Sequence, residues 1–430
     1  MILRDPVHGL VAFESEEERI IDRLIDTPEV QRLRRVRQLG VTALAFPGAE
    51  HTRFAHAIGA AFVMKLLLAR LRAIHEELPF WQQVTTDRAR DALAAAFLHD
   101  VGHGPLSHLF EDAIPGTPHH EVWTERIVKD PGTGVNRVLA SLDPAMPERV
   151  AALVRGEHPM PYFAKAVSGT FDVDRCDYLL RDAHATGVGY GKYDLDWLLR
   201  SLRFTPVASE KEVPALAIDG AKGLPAIEAF ILARLFMFQQ VYLHKETRSA
   251  EWMIRTILAR AAICIADGAR LPQTPRAIEQ AAYGEPLLLG DYLELDDAAI
   301  TVAMHAWEDA KDATLADLSK RVRARALFKT LELFGEQSSP AGRARVLATA
   351  REVATSRGFD ADYYVGLDVA EDTPFGAEAD PLMVIFAKGP PRPLSDVSFI
   401  LARLAGQVMS RVRLIIAPEL REDVTRALGM

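Results

Sequence analysis

The feature that most constrains this chain is a charged pair, His99-Asp100, set at the end of the apolar run Ala92 to Leu98. The run predicts a helix over 86–101, apolar nearly all round and therefore buried. A carboxylate beside an imidazole at the end of such a helix costs several kcal/mol unless something pairs with it. A divalent cation is such a partner. Adjacent side chains on a helix point about 100° apart. Both reach one ion only if it sits off the helix shoulder, with other elements closing the site.

The other histidines gather around the same pair. Eight of the thirteen (His51, His56, His75, His99, His103, His108, His119 and His120) fall between 51 and 120, where an even spread would put about two. His56 lies on the preceding predicted helix, 52–77, and Asp174 lies downstream in Asp172-Val173-Asp174-Arg175. His103 falls one turn after His99 on the same face, and His108 follows a Gly-Pro break. Two His and two Asp make a mixed nitrogen and oxygen set, which suits Fe, Mn, Co or Mg better than a thiolate zinc cage. Such an ion lowers the pKa of bound water and polarises a phosphoryl oxygen. Taken singly, each residue has an ordinary reading. His-Asp pairs occur by chance, a lone His is more often a satisfied core or surface residue, and a buried Asp more often caps a helix.

Composition narrows the class. At 430 residues the chain suits two or three domains, and its 49% hydrophobic and 25% charged content is that of an ordinary globular protein. The apolar stretches read as short, so no bilayer span is expected, and the start MILRDPVHG does not read as a secretory signal. Two distant cysteines, Cys176 and Cys264, argue against a disulfide framework and fit a reducing cytoplasm. The net charge of −9 disfavours non-specific nucleic-acid binding by the whole molecule, though it leaves room for a local basic pocket.

Periodicity predicts a mainly α fold. Helices are expected over 15–40, broken at Thr27-Pro28, and over 52–77, 86–101, 119–129, 147–155, 161–167 and 174–186. Leu202 to Val207 and Val213 to Ile218 read as a β-hairpin, followed by a long helix from about 223 to 268 and further helix over 275–335. Composition shifts after Gln337-Ser338-Ser339-Pro340. Strands are then expected at Tyr363 to Val369, Leu382 to Phe386 and Val412 to Ile416, with a helix over 395–410. The expected domains are a core over 1–340 and a small C-terminal α/β region over 341–430.

Several segments together resemble the HD-domain deoxynucleoside triphosphate triphosphohydrolases. These include bacterial dGTPases and the catalytic core of the vertebrate SAM-and-HD-domain enzyme. The segments are DPVHG (5–9), DTPEVQRLRRVRQLG (26–40), FPGAEHTRFAHAIG (46–59), HDVGHGPLSH (99–108), DVDRCDYLLRDAHATG (172–187) and VYLHK (241–245). They stand in the family's order over roughly residues 1–270. The resemblance implies an HD-domain helical core and a metal held by His56, His99, Asp100 and Asp174. It implies that His108 protonates the leaving 5′ oxygen, with His103, His120 and Glu111 beside it. Glu111 stands where the vertebrate relative has Asp. Arg53, Arg175, Arg234 and Lys245 would neutralise phosphates, Arg175 replacing a Lys. Tyr178, Asp182 and Tyr242 would surround the sugar, and Gln38 and Leu39 its edge. A Tyr under the 2′ position would exclude a hydroxyl, although Tyr178 and Tyr242 read without the resemblance as core aromatics.

Asp26, Gln31 and Arg34 match part of a guanine-recognising activator site. The other reading of the Arg32–Arg37 run is a solvated helix face. The expected activity is hydrolysis of a dNTP to deoxynucleoside and inorganic triphosphate, by a nucleotide-activated homo-oligomer in the cytoplasm, with no membrane and no favoured nucleic-acid partner. The competing expectations are the same chemistry on another nucleotide or phosphoester, and a nucleotide or nucleic-acid sensor on a retained HD fold.

Overall fold

Thr52 is extended and its hydroxyl accepts the Ala55 amide, which starts the helix Arg53–Ile74. That helix is buried on nearly every side, through Phe54, Ala57, Ala61, Met64, Leu67 and Leu71 among others. It packs against two further helices, Thr86–Leu98 and Val173–Thr186, which bring the ends carrying His99 and Asp174 beside His56. Gly59 permits the second approach, because a Cβ there would run into Asp177 Oδ1 and Arg181 Nη2. The computed structural model describes residues 1–75, 78–114, 116–169, 171–205, 213–373, 375–376 and 382–430; the side chain of His108 is also outside the described residues.

Two apolar cores meet at the His-Asp segment. The first surrounds the three helices above. The second is built on the helix Lys245–Ala266, through Met253, Ile254, Ile257 and Leu258, and on the strands Val365–Asp372 and Met409–Ile416. Leu106, Leu109, Phe110 and Trp123 belong to the second core, so the segment after His99 bridges the two. Trp123 stacks on Tyr292 at 3.9 Å between ring centroids.

The mainly α expectation holds, with local corrections. The N-terminal DPVHG segment is the turn of an antiparallel hairpin, Ile2–Asp5 with Gly9–Ala12, that periodicity did not predict. The helical segment predicted over 15–40 breaks at Thr27-Pro28 as expected, Arg19–Leu24 giving way to Pro28–Arg32, but it then ends in the short 3-10 turn Leu33–Arg35 instead of running on to residue 40. The long helix over 223–268 is interrupted. Leu224–Met237 widens into a π-type turn over Phe238–Tyr242, and Lys245–Ala266 restarts after His244. The predicted helix over 275–335 ends in the strand Lys329–Leu333, and that over 395–410 is reduced to the single turns Leu394–Val397 and Leu401–Leu404.

The predicted hairpin forms as Leu202–Phe204 with Leu216–Asp219, while residues 206–212 lie outside the described residues. Met383–Ile385 joins it in parallel, with Val384 opposite Ile218. Lys329–Leu333 pairs with Met409–Ile416, with Leu331 opposite Leu414. Backbone hydrogen bonds therefore cross residue 340 in two sheets.

The stretch Leu224–Tyr242 is long and apolar enough, by length and composition, to cross a membrane, which corrects the reading that every apolar stretch is short. Here Ile227, Phe230, Ile231 and Met237 are buried in the protein, and Arg234 pairs with Asp372 at 3.2 Å.

Candidate metal centre and adjoining cavity

The N-terminal hairpin sets the orientation of the site. Asp5 Oδ1 accepts the Val7 and His8 amides, both at 2.9 Å, and Oδ2 accepts Arg181 Nη1 at 2.8 Å. His8 Nε2 lies 2.6 Å from Asp177 Oδ1, and Asp177 is gripped by Arg181 at 2.8 and 2.9 Å. Asp177 Oδ2 in turn stands 2.8 Å from His56 Nδ1. With Nδ1 engaged, the other nitrogen of His56 is aimed inward.

Three side chains converge on that nitrogen. His56 Nε2 is 3.2 Å from His99 Nε2, 3.0 Å from Asp174 Oδ1 and 3.8 Å from Asp100 Oδ2. His99 Nε2 is 3.4 Å from Asp174 and 3.4 Å from Asp100 Oδ1, and its Nδ1 lies 2.9 Å from the Ala96 carbonyl. Each imidazole thus spends Nδ1–H on a carboxylate or a carbonyl. Two ring lone pairs and two carboxylates are then left facing one another. This donor set fits a divalent cation.

The protons fit the same picture. Burial pulls His56 down, but hydrogen bonds to Asp174 and Asp177 outweigh it and raise the imidazole to about 10. Burial pushes Asp174 up, yet the hydrogen bonds from His56 and His99 hold it below the usual carboxylate range. Asp100 behaves alike: burial raises it, and the charges of His99 and Arg53 hold it well below. His103 is pushed well down, by burial first and then by the charge of Arg53.

A cavity of about 460 Å³ opens beside the cluster. Arg53, Asp100, His103, His120, Asp174, Gln38, Leu39, Tyr178, Asp182 and Tyr242 from the predicted set all line it. Arg53 is buried and donates to Asp100 and Ser107. His103 is 3.2 Å from Asp100 and stacks on His120 at 3.7 Å, and His120 Nδ1 lies 3.2 Å from buried Glu111. Tyr242 donates to Asp182 Oδ2 at 2.7 Å, and His51 Nε2 is 2.8 Å from Asp182 Oδ1. His108 opens the short helix His108–Ala113, and the role expected for its side chain falls outside the described residues. Before it, Leu106 and Ser107 both adopt left-handed backbone, at φ 58° and 61°. That strain costs on the order of 1–3 kcal/mol per residue. Asp297, accepting the Leu106 amide at 2.8 Å, helps hold it.

Other predicted residues stand off the cavity lining. Arg175 donates to Gly169 and Asp172, Arg234 pairs with Asp372, and Lys245 is exposed. Asp26, Gln31 and Arg34 are also elsewhere. Asp26 is exposed, and Arg34 bonds Gln31 at 2.8 Å and lies over the Phe54 ring at 3.6 Å. The arginine run around them is not a uniform solvated face. Arg32 is buried and donates to the carbonyls of Leu295, Val101 and His103 at 2.8, 3.2 and 2.6 Å, while Arg35 pairs with Asp296 and Arg37 with Glu50.

Four charged lining residues were missed by sequence reasoning: Arg248, Glu251, Arg255 and Asp112. The first three recur at i, i+3 and i+7 on one helix, a pattern that marks a single charged face. Arg248 pairs with Asp368 at 2.6 Å and Glu251 at 2.7 Å, and Arg255 approaches Asp112 at 3.7 Å. Asp177 was missed as well. Its sign was a carboxylate one turn after Asp174 on the same helix.

Comparisons with known proteins agree with this geometry. The HD domain family matches residues 53–182, the span from Arg53 to Asp182. YwfO of Bacillus subtilis, itself uncharacterized, is 34% identical, covering 99% of this chain and 94% of its own. The deoxynucleoside triphosphate triphosphohydrolase SAMHD1 of Danio rerio is 25% identical over 83% of this chain, which spans 59% of that longer protein. A phosphohydrolase structure from Bacteroides thetaiotaomicron superposes with a TM-score of 0.80 at 27% identity, covering 97% of this chain and 99% of that one. The chain belongs to the HD-domain phosphohydrolase family.

Proposed function

We propose that the protein hydrolyses deoxynucleoside triphosphates to deoxynucleoside and inorganic triphosphate, with a divalent cation held by His56, His99, Asp100 and Asp174. The observation that carries this reading is the order of residues along Val173–Thr186. Asp174, Tyr178 and Asp182 follow at four-residue intervals, so cluster, aromatic ring and carboxylate share one face of the helix and one cavity. At about 1.5 Å per residue they are spaced roughly 6 Å apart. That spacing would let a sugar lie against Tyr178 and Asp182 with its α-phosphate at the cluster.

A bound divalent cation would polarise the phosphoryl oxygen and lower the pKa of water. The chain's own residues supply the rest. Arg53 brings charge against a substrate carrying about four negative charges. His103, which lines the cavity beside Asp100, offers a ring nitrogen to the same phosphate region. Water adds to the α-phosphorus, the bond from phosphorus to O5′ breaks, and O5′ takes a proton, in this reading from His108. The paired Tyr242 and Asp182 would hold the 3′ side of the sugar, and Tyr178 would crowd a 2′ hydroxyl. An activating nucleotide at Asp26, Gln31 and Arg34 of a homo-oligomer in the cytoplasm belongs to the same proposal.

One observation favours a second reading, a nucleotide with a shorter phosphate chain. Arg175 and Arg234 are paired with Asp172 and Asp372, and neither is among the residues that line the cavity. Product analysis separates the two. Purified protein is incubated with each dNTP, with GTP and with dNMPs, plus Mn or Mg, and the anions are separated by ion chromatography. Inorganic triphosphate that disappears in Asp174→Ala supports the first reading. Turnover of dNMPs alone supports the second. No turnover of any nucleotide, with mixed dNTPs present as activators, counts against both.

A further inference from the structure

Beside the first cluster lies a separate group of metal-ligating side chains. Glu111 comes from the helix His108–Ala113, and His119 and His120 stand at the start of His120–Lys129. One possible ligand atom from each lies within 4.8 Å of the other two. His119 Nε2 is 3.4 Å from Glu111 Oε2, and His120 Nδ1 is 3.4 Å from the same oxygen. Both exceed the roughly 2.7–2.9 Å of a charge-assisted hydrogen bond. They match the roughly 3.4 Å between two ligands placed tetrahedrally at about 2.1 Å from one ion.

We propose that Glu111, His119 and His120 form a second divalent metal site, distinct from the one at His56, for an ion of the zinc or cobalt class. Two imidazole nitrogens and one carboxylate oxygen are the donor set of an open three-ligand site, with a position left for water or a ligand oxygen. The backbone makes the convergence possible. His119 is extended at the helix start, with φ −62° and ψ 149°, while His120 is helical, so neighbouring rings turn toward one carboxylate. Glu111 is buried, and a buried carboxylate between two imidazoles gains from a cation that serves all three. His119 is half exposed, which gives an ion a path from solvent. His120 also lines the cavity and stacks on His103 at 3.7 Å, so an ion here adds positive charge to that wall.

The test reads metal content and needs no activity. Full-length protein is stripped with a chelator, titrated with Co²⁺ alone, and analysed for equivalents bound and for the visible absorption of bound cobalt. Wild type should bind two equivalents per chain. His119→Ala, at a half-exposed position, should lose one of them and its share of the spectrum, and Asp174→Ala should lose the other. Glu111→Gln serves as a second variant, and circular dichroism checks that each remains folded. A single equivalent that is lost in His119→Ala and kept in Asp174→Ala would support this site and count against the first. Equal cobalt content and spectra in wild type, His119→Ala and Glu111→Gln would overturn the proposal and leave Glu111 as a hydrogen-bonding anchor for the two rings.

Discussion

The carboxylate of Asp177 lies 2.8 Å from Nδ1 of His56, and this one contact decides which nitrogen His56 presents to the cluster. Asp177 is itself fully buried and fixed by His8 and Arg181. Asp177→Asn keeps the shape but weakens the acceptor. Metal affinity, measured by competition with a chelator, should fall about 10- to 100-fold. Unchanged affinity would show that the ring is oriented by packing alone.

Gly59 is where the helix carrying His56 meets Asp177 and Arg181. Gly59→Ala must push those groups aside, so thermal unfolding should show a loss of about 1–3 kcal/mol. Metal affinity should fall with it, because the displaced atoms orient His56. A variant as stable as wild type and equally able to bind metal would contradict this account of the helix approach.

Tyr242 and Asp182 form a hydrogen-bonded pair on the cavity wall at 2.7 Å. Tyr242→Phe removes the donor and leaves the carboxylate turned only by His51. The expected cost for a dNTP is about tenfold in kcat/KM, near 1.4 kcal/mol, as for a hydrogen bond to a charged group. Steady-state kinetics with paired dNTP and NTP substrates would check it, and the discrimination between the two should narrow in Tyr178→Ala.

Removing the metal should abolish turnover while sparing the fold. Protons on His56, which burial lowers but Asp174 and Asp177 raise to about 10, can compensate the buried carboxylates. Circular dichroism after chelation should retain its helical signal, and Mn or Mg should restore activity. Global loss of helix on chelation would mean that the ion is structural.

Tyr162 offers a pH test away from the site. Its ring is buried, its hydroxyl donates to the Gln82 carbonyl at 2.5 Å, and burial pushes it up to about 12 from an ordinary value of 10. The folded value exceeds the unfolded one. The stability it contributes is therefore complete below about pH 10 and is lost as pH rises toward 12. Denaturant midpoints across that range should fall less steeply in Tyr162→Phe than in wild type.

The convergence of the His-Asp cluster was legible in sequence because chemistry and patterning coincide there. His99-Asp100 interrupts an apolar helix, and His56 and Asp174 sit in equally marked segments. What was hidden depends on tertiary contact. Lys329–Leu333 alternates charge and apolar residues too briefly to separate strand from helix, and its partner strand lies about 80 residues away. The hairpin that seats Asp5 and His8 has four-residue strands with only two buried residues, Asp5 and Val11, too few to set a pattern. Arg248, Glu251 and Arg255 lie within the predicted helix over 223–268, and only the fold brings them to the cavity wall. Arg32 reads as one of a solvated run, although it is buried and bonded to three carbonyls.

The most direct test of the central claim is to run the hydrolysis of a dNTP in oxygen-18 water and locate the label by mass spectrometry. Attack on the α-phosphorus at the His56, His99, Asp100 and Asp174 cluster predicts one labelled oxygen in inorganic triphosphate and none in the deoxynucleoside. Label in orthophosphate, pyrophosphate or a nucleoside monophosphate would contradict it.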